Sequence, residues 1–66
     1  MEIKCHLFEY RIKKGWSLNE VHKLTGLSIG YLDDLQNNKQ LPRIDYAYRL
    51  AKAFNISVYD LFEIIE

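Results

Sequence analysis

Apolar positions recur every three or four residues through most of the chain, the spacing of a helix that buries one face. The pattern predicts five helices, over residues 3–14, 18–25, 29–36, 43–54 and 58–64. The faces predicted to be buried carry Ile3, Leu7, Val21, Leu24, Leu32 and Leu35, followed by Ile44, Ala47, Tyr48, Leu50, Ala51 and Phe54. No stretch alternates apolar and polar residues as a half-buried strand does. We therefore predict an all-α fold class and a single compact domain over residues 1–66.

Capping signals sharpen the boundaries of the second and third predicted helices. Ser17 followed by Glu20 is a capping box, in which the hydroxyl and the carboxylate satisfy free amides at a helix start. Gly26 can end that helix because it adopts positive φ without a side-chain penalty, and Ser28 caps the next helix. A helix, a glycine turn and a second helix within residues 17–38 form a helix-turn-helix, whose second helix can enter a DNA major groove.

Net charge weighs mildly against nucleic-acid binding, because the nine basic and nine acidic residues balance. The distribution is uneven, however. Residues 1–54 hold all nine basic residues and six acidic ones, whereas residues 55–66 hold three acidic residues and no basic one. The sequence therefore predicts a basic body with an acidic C-terminal segment.

Few residues suit catalysis or metal binding. Cys5 is the one cysteine, and the neighbouring Cys5 and His6 lack the further ligands that a closed zinc site needs. No phosphate-binding glycine loop, paired carboxylates or activated nucleophile is recognisable. Residues 1–10 are charged and lack a signal-peptide pattern, and no segment is apolar enough to span a bilayer. We expect a cytoplasmic protein that is not an enzyme and has no metal, cofactor or membrane partner.

The order of these motifs resembles one known family. Its carriers here are Arg11, S-x-x-E at 17–20, Gly26, S-x-x-Y-L at 28–32, L-Q-N-N-K at 35–39, Pro42 and LAKAFNIS at 50–57. From about Leu7 to Phe62 the chain resembles the lambda-repressor-like family, the Cro/cI or XRE helix-turn-helix domains. The resemblance implies a compact five-helix domain whose helices 2 and 3 form the helix-turn-helix. It also implies a sequence-specific DNA-binding transcriptional regulator, a repressor that binds a palindromic operator as a homodimer, encoded by a bacterium, phage or plasmid and associated with the nucleoid.

Family positions point to residues that would face double-stranded DNA. Base reading would fall to Ser28, Ile29, Gly30, Tyr31 and Asp34. Ile29 could touch a thymine methyl group and Asp34 could accept from a cytosine amino group, while Tyr31 could donate to a phosphate. Gly30 fits either a close approach to the DNA backbone or simple tolerance near a helix start. Phosphate binding would fall to Ser17, Asn37, Asn38, Lys39, Gln40 and Arg43.

The C-terminal segment offers apolar side chains for a dimer interface, namely Tyr59, Phe62, Ile64 and Ile65. The last two could instead fold back onto the first helix. Four positions depart from the family pattern: Leu18 stands where glutamine is usual, His22 where alanine is usual, Gln36 where glutamate is usual and Asn38 where glycine is usual. Leu18 in place of glutamine, Asp33 and Asp34, the zero net charge and the apolar C-terminal segment motivate an alternative function. It is a protein-interaction module, an antirepressor or a subunit of a regulatory complex that keeps the fold without strong DNA binding.

Overall fold

Five helices follow one another along the chain, and a short strand lies at each end of the series. The structure is a computed structural model that describes residues 2–66, so that Met1, part of the expected domain, lies outside the described residues. The elements are β1 (Glu2–Cys5), α1 (Leu7–Lys14), α2 (Leu18–Thr25), α3 (Ile29–Gln36), α4 (Ile44–Phe54), α5 (Val58–Leu61) and β2 (Phe62–Ile65). Within residues 2–66 no helix is both long and apolar enough to cross a membrane.

The helix ends are set by local hydrogen bonds. At Ser17 both bonds of the capping box form, each at 3.2 Å: the hydroxyl accepts from the Glu20 amide, and the Glu20 carboxylate accepts from the Ser17 amide. Gly15 and Gly26 end their helices in the left-handed region, with φ of 69° and 76°. The predicted bounds of α2 and α3 therefore match the structure, because both helices start and stop on signals within their own sequence.

The prediction of a first helix over residues 3–14 is wrong at its start. Residues 2–5 form β1, which pairs antiparallel with β2, and the partners run from Glu2 opposite Ile65 to Cys5 opposite Phe62. Ile3 and Cys5 face the body of the protein while Glu2 and Lys4 are exposed. The alternation of buried and exposed residues that marks a strand therefore extends over only four residues.

The prediction of a last helix over residues 58–64 is wrong at its end. Helix α5 stops at Leu61, and Phe62 already has extended backbone angles, φ −122° and ψ 116°. The backbone of Phe62–Ile65 finds its partners in β1 instead of in another helical turn. The fold is thus mostly helical, with five helices and a small two-stranded sheet.

The core is a single cluster of apolar side chains contributed by every helix and both strands. Its fully buried members are Leu7, Val21, Leu32, Leu35, Leu50 and Leu61. Three side chains predicted to be buried are exposed: Leu24, Ile44 and Tyr48 have 58%, 76% and 65% of their surface accessible. On α4 the buried face instead follows Ala47, Leu50, Ala51 and Phe54.

Arg11 connects the first and third helices beneath the helix-turn-helix. One of its terminal nitrogens donates to the Trp16 carbonyl at 3.0 Å, and the other donates to Gln36 Oε1 at 3.4 Å. Gln36 in turn donates to Asp33 Oδ1 at 3.1 Å. The neutral Gln36 therefore does replace a carboxylate as the partner of Arg11. Among the described residues 2–66, the buried Arg11 Nε atom has no hydrogen-bond partner.

Candidate nucleic-acid interface

Helices α2 and α3 are joined by a turn that is fixed on both sides. Gly26 provides the left-handed residue, and Ser28 starts α3 by accepting the Tyr31 amide at 3.2 Å. Across the turn, the His22 ring donates from Nδ1 to the Leu27 carbonyl at 2.6 Å. His22, which stands where the family has a small residue, thus closes the turn. Leu32 and Leu35 bury the inner face of α3, which leaves its other face outward.

The outward part of α3 is open at its N-terminal end. Ile29 has 44% of its surface exposed, and Ser28 and Gly30 are exposed as well. A Cβ atom added at Gly30 would meet no atom within 4 Å. Packing inside the domain therefore does not require glycine at this position.

Tyr31 is half-buried and connects α3 to the start of α4. Its hydroxyl oxygen accepts the Arg43 amide at 3.1 Å, and its ring lies edge-on to Tyr46, with the centroids 5.3 Å apart. A phenol that accepts one bond still has its own proton to donate. The Tyr31 hydroxyl is therefore a donor held at the N-terminus of an 11-residue helix, where backbone amides favour anions.

The loop from Asn37 to Arg43 carries the two basic residues predicted to bind phosphate. The Lys39 amide donates to the Asp34 carbonyl at 2.9 Å, which ties the loop to the end of α3. The Lys39 side chain is exposed, and its ammonium group takes part in none of the ion pairs formed within residues 2–66. Gln40 is exposed beside it.

Arg43 is also exposed, but its guanidinium group has partners. Nε and Nη2 donate to the two carboxylate oxygens of Asp45 at 3.2 and 3.0 Å. Nη1 donates to the Tyr46 hydroxyl at 3.3 Å, and Cζ lies 4.4 Å from the centre of the Tyr46 ring. The pattern of the sequence did not predict this pair, although an acid two residues after an arginine at a helix start is a visible signal.

Asn37 and Asn38 use polar atoms inside the domain. Asn37 donates to the Asp33 carbonyl at 2.9 Å, which closes the end of α3. Asn38 has φ of 58°, and its Oδ1 accepts the Cys5 amide at 2.8 Å. The bond joins β1 to the loop beside α3. Burial raises the pKa of the neighbouring Cys5 thiol to about 11, which keeps it protonated at neutral pH.

The residues predicted for a dimer interface split between surface and core. Tyr59, Ile64 and Ile65 have 82%, 51% and 41% of their surface exposed, whereas Phe62 is buried at 5%. Phe62 lies under an apolar groove of about 160 Å³, whose other lining residues include Ile3, Ile44, Val58, Tyr59 and Ile64. Ile64 and Ile65 pair with β1 and not with α1.

The arrangement of α2, the glycine turn and α3 defines a class, the helix-turn-helix domains. Among residues 2–66 no three His, Cys, Asp or Glu side chains group as metal ligands. The helix-turn-helix family model HTH_3 matches residues 7–61, and the chain belongs to this family of XRE and Cro/cI-like domains.

One similar relative is the HTH-type transcriptional regulator DdrOP3 of Deinococcus deserti, which is 30% identical over 66 residues. The match covers 100% of this chain and 51% of the relative, so the chain spans about half the length of that curated protein.

Proposed function

We propose that this domain represses transcription by binding a palindromic operator as a homodimer, with α3 in the major groove. Such a regulator would act in the cytoplasm, on bacterial, phage or plasmid DNA. The observation that carries the proposal is the attachment of both phosphate-binding candidates to α3. The Lys39 amide bonds to the Asp34 carbonyl, and the Arg43 amide bonds to the Tyr31 hydroxyl. Both residues therefore lie beside the helix that would read the bases.

Ser28, Ile29, Gly30, Tyr31 and Asp34 are the proposed base-reading residues. None is basic, so the affinity for DNA would come chiefly from outside α3. Lys39, Arg43 and Gln40 would supply phosphate contacts. The first-turn amides after Ser17 and at the α4 start that internal hydrogen bonds do not use would add helix-end contacts. Asn37 and Asn38 would contribute only the donors that their internal bonds leave free.

The proposed dimer interface is the apolar surface formed by Tyr59, Ile64, Ile65 and the groove beside them. Ile44 lies in the same groove with 76% of its surface exposed. Exposed apolar side chains gathered in one place are typical of protein interfaces. A two-fold axis through this surface would set two copies of α3 against successive major grooves, about 34 Å apart.

Replacing Lys39 and Arg43 with alanine tests the phosphate contacts. Because phosphate contacts carry no sequence information, the double variant should bind all duplexes more weakly and by a similar factor. The slope of log K against log salt should flatten by roughly 0.9 for each phosphate that the variant no longer neutralises. Fluorescence anisotropy with labelled duplexes across a salt series measures both quantities.

Lys52→Ala is the matched control, because Lys52 is an exposed basic residue at the other end of α4. It should leave the salt slope nearly unchanged. Wild-type affinity and slope in the Lys39/Arg43 variant would show that this loop does not face DNA.

A second candidate function, a protein-interaction module, is favoured by the acidic character of α3. Asp33 and Asp34 lie on that helix with no basic residue in its last turn, and Asp45 pairs with Arg43 nearby. A module of this kind would form a stable complex with another regulator and bind DNA weakly. Two results together would support the protein-interaction module. The chain would show no affinity for DNA, and substitution of Tyr31 and Asp34 would abolish its complex with the other protein.

A further inference from the structure

The guanidinium group of Arg43 makes the same kind of two-bond contact with Asp45 that it would make with a DNA phosphate. Two of its nitrogens donate to the two oxygens of Asp45, at 3.2 and 3.0 Å, in a side-by-side arrangement. A third nitrogen donates to the Tyr46 hydroxyl at 3.3 Å. Arginine offers this planar pair of donors to carboxylates and phosphates alike.

The pair lies at the surface that we propose for DNA, so an incoming phosphate meets it directly. The Arg43 and Asp45 side chains are 64% and 51% exposed. A phosphate near Arg43 would therefore meet a cation whose charge is balanced by a carboxylate at 3.0 Å. To gain the full attraction of Arg43, the phosphate must take over donors that Asp45 holds.

We propose that Asp45 competes with DNA phosphate for Arg43 and thereby lowers the affinity of the domain for DNA. The inference rests on the proposed function, since it assigns a role to a neighbour of the proposed phosphate contacts. Exposed ion pairs are weak, so Asp45 lowers the affinity without closing the site. The effect should be equal on any sequence, because the competed contact is to the DNA backbone.

The opposite role for Asp45 would be to position Arg43 for DNA. In that case removal of the carboxylate would weaken the Arg43 contact, whereas competition predicts that it strengthens the contact. The sign of the coupling between the two residues therefore separates the two roles.

A double-mutant cycle with Arg43→Ala and Asp45→Asn measures this coupling on a mixed-sequence duplex at about 50 mM salt, where phosphate contacts are strong. Asp45→Asn should tighten binding by about two- to fivefold, the range of exposed ion pairs. Arg43→Ala should weaken binding by a larger factor in the Asp45→Asn background than in the wild-type background. An equal or smaller factor there would overturn the inference.

Asparagine at position 45 keeps an oxygen that can accept the Tyr46 amide, as Asp45 Oδ1 does at 3.0 Å. Asp45→Ser provides a second variant with an acceptor, and a thermal melt checks the folding of each. Glu66→Gln controls for net charge, since it removes one acidic charge from the end of the chain. Tightening by Glu66→Gln equal to that by Asp45→Asn would also overturn competition.

Lys39→Ala separates this inference from the proposed function. If Lys39→Ala weakens binding while the Arg43–Asp45 cycle shows no coupling, only the inference fails. If neither Lys39→Ala nor Arg43→Ala changes binding, the proposed phosphate surface is wrong, and the role of Asp45 fails with it.

Discussion

Asn38 makes two contributions to stability: its backbone forms the loop after α3, and its side chain bonds to strand β1. Its backbone takes φ of 58°, which asparagine tolerates better than most residues. Its Oδ1 accepts the Cys5 amide at 2.8 Å, on the edge of β1 that faces away from β2. A glycine, usual here in the family, would satisfy the first requirement only. The asparagine therefore attaches the N-terminal strand to the loop after α3.

Substitutions at Asn38 should separate these two contributions. Asn38→Gly keeps the backbone angle and removes the hydrogen bond, at a cost of about 1 kcal/mol in the free energy of unfolding. Asn38→Ala removes the bond and strains the backbone, so it should cost about 1 kcal/mol more. Urea unfolding of the two variants measures the difference. Equal stability of the two variants would show that the backbone angle carries no cost.

Gly30 is the residue at which stability and DNA binding should move in opposite directions. A Cβ atom there meets nothing within 4 Å, so Gly30→Ala should stabilise the domain by roughly 0.5–1 kcal/mol through helix propensity. If α3 approaches the DNA backbone at this point, the added methyl group should also weaken DNA binding. Thermal melts and anisotropy on the same variant test both. Higher stability with unchanged binding would leave Gly30 as a merely tolerated residue.

The two strands of the sheet are joined by the alternating hydrogen bonds of an antiparallel pair. The His6 amide donates to the Leu61 carbonyl at 2.8 Å, just beyond the paired residues. The alternation of an antiparallel pair then directs the Glu63 amide toward β1 and the Ile64 amide away from it. A proline at position 63 would therefore remove a hydrogen bond between the strands, whereas a proline at position 64 would remove only an amide that points away from β1.

Proline at position 63 should destabilise the domain more than proline at position 64. Glu63→Pro removes an amide that bonds within the sheet, whereas Ile64→Pro removes one on the open edge, where proline is tolerated. Chemical denaturation of both variants gives the comparison. Because Glu63 also contacts His6 at 3.0 Å, Glu63→Ala serves as the side-chain control. Similar losses of stability for the two proline variants would contradict the register.

The helix-turn-helix could be predicted from the sequence because its signals are local. Ser17, Gly26 and Ser28 mark the helix ends by bonds to residues a few positions away. The strands could not be predicted in this way, since β1 pairs with residues at the opposite end of the chain. A four-residue strand shows only two inward positions, and Ile3 with Leu7 fits a helical step equally well.

The exposure of α4 side chains shows a second limit of sequence patterns. Ile44 and Tyr48 continue the apolar spacing of the helix, yet both lie at the surface. The periodicity of apolar residues identifies one face of α4. It does not show how much of that face the neighbouring helices and strands cover. The result is a larger exposed apolar surface than the sequence suggested, and Ile44 adds to the proposed dimer interface.

Across the molecule, the proposed site depends on basic residues whose positions are visible in the sequence but whose ion-pair partners are not. The backbone amides of Lys39 and Arg43 bond to residues of α3, and the contact of their side chains with phosphate stays a prediction. The Asp45 partner of Arg43 emerges only when side-chain geometry is known. A neutral chain can still bind DNA if its cations gather on one face, and the salt slope reports how many of them reach phosphates.

The proposed dimer surface and the proposed DNA-facing surface make one joint prediction about the operator. A homodimer with a two-fold axis requires two half-sites of inverted sequence, and their centres should lie one helical turn apart, about 34 Å. A monomer would select a single half-site without symmetry. The symmetry of the selected DNA therefore reports the assembly of the protein.

Selection from a randomised duplex library, followed by binding of the winning duplex across a salt series, tests whether the domain binds a palindromic operator as a homodimer. We predict an enriched palindrome with half-sites one turn apart, and binding that exceeds that of mixed-sequence DNA at physiological salt. Absence of any enriched sequence, with only weak binding that vanishes near physiological salt, would contradict the proposed repressor and favour the protein-interaction module.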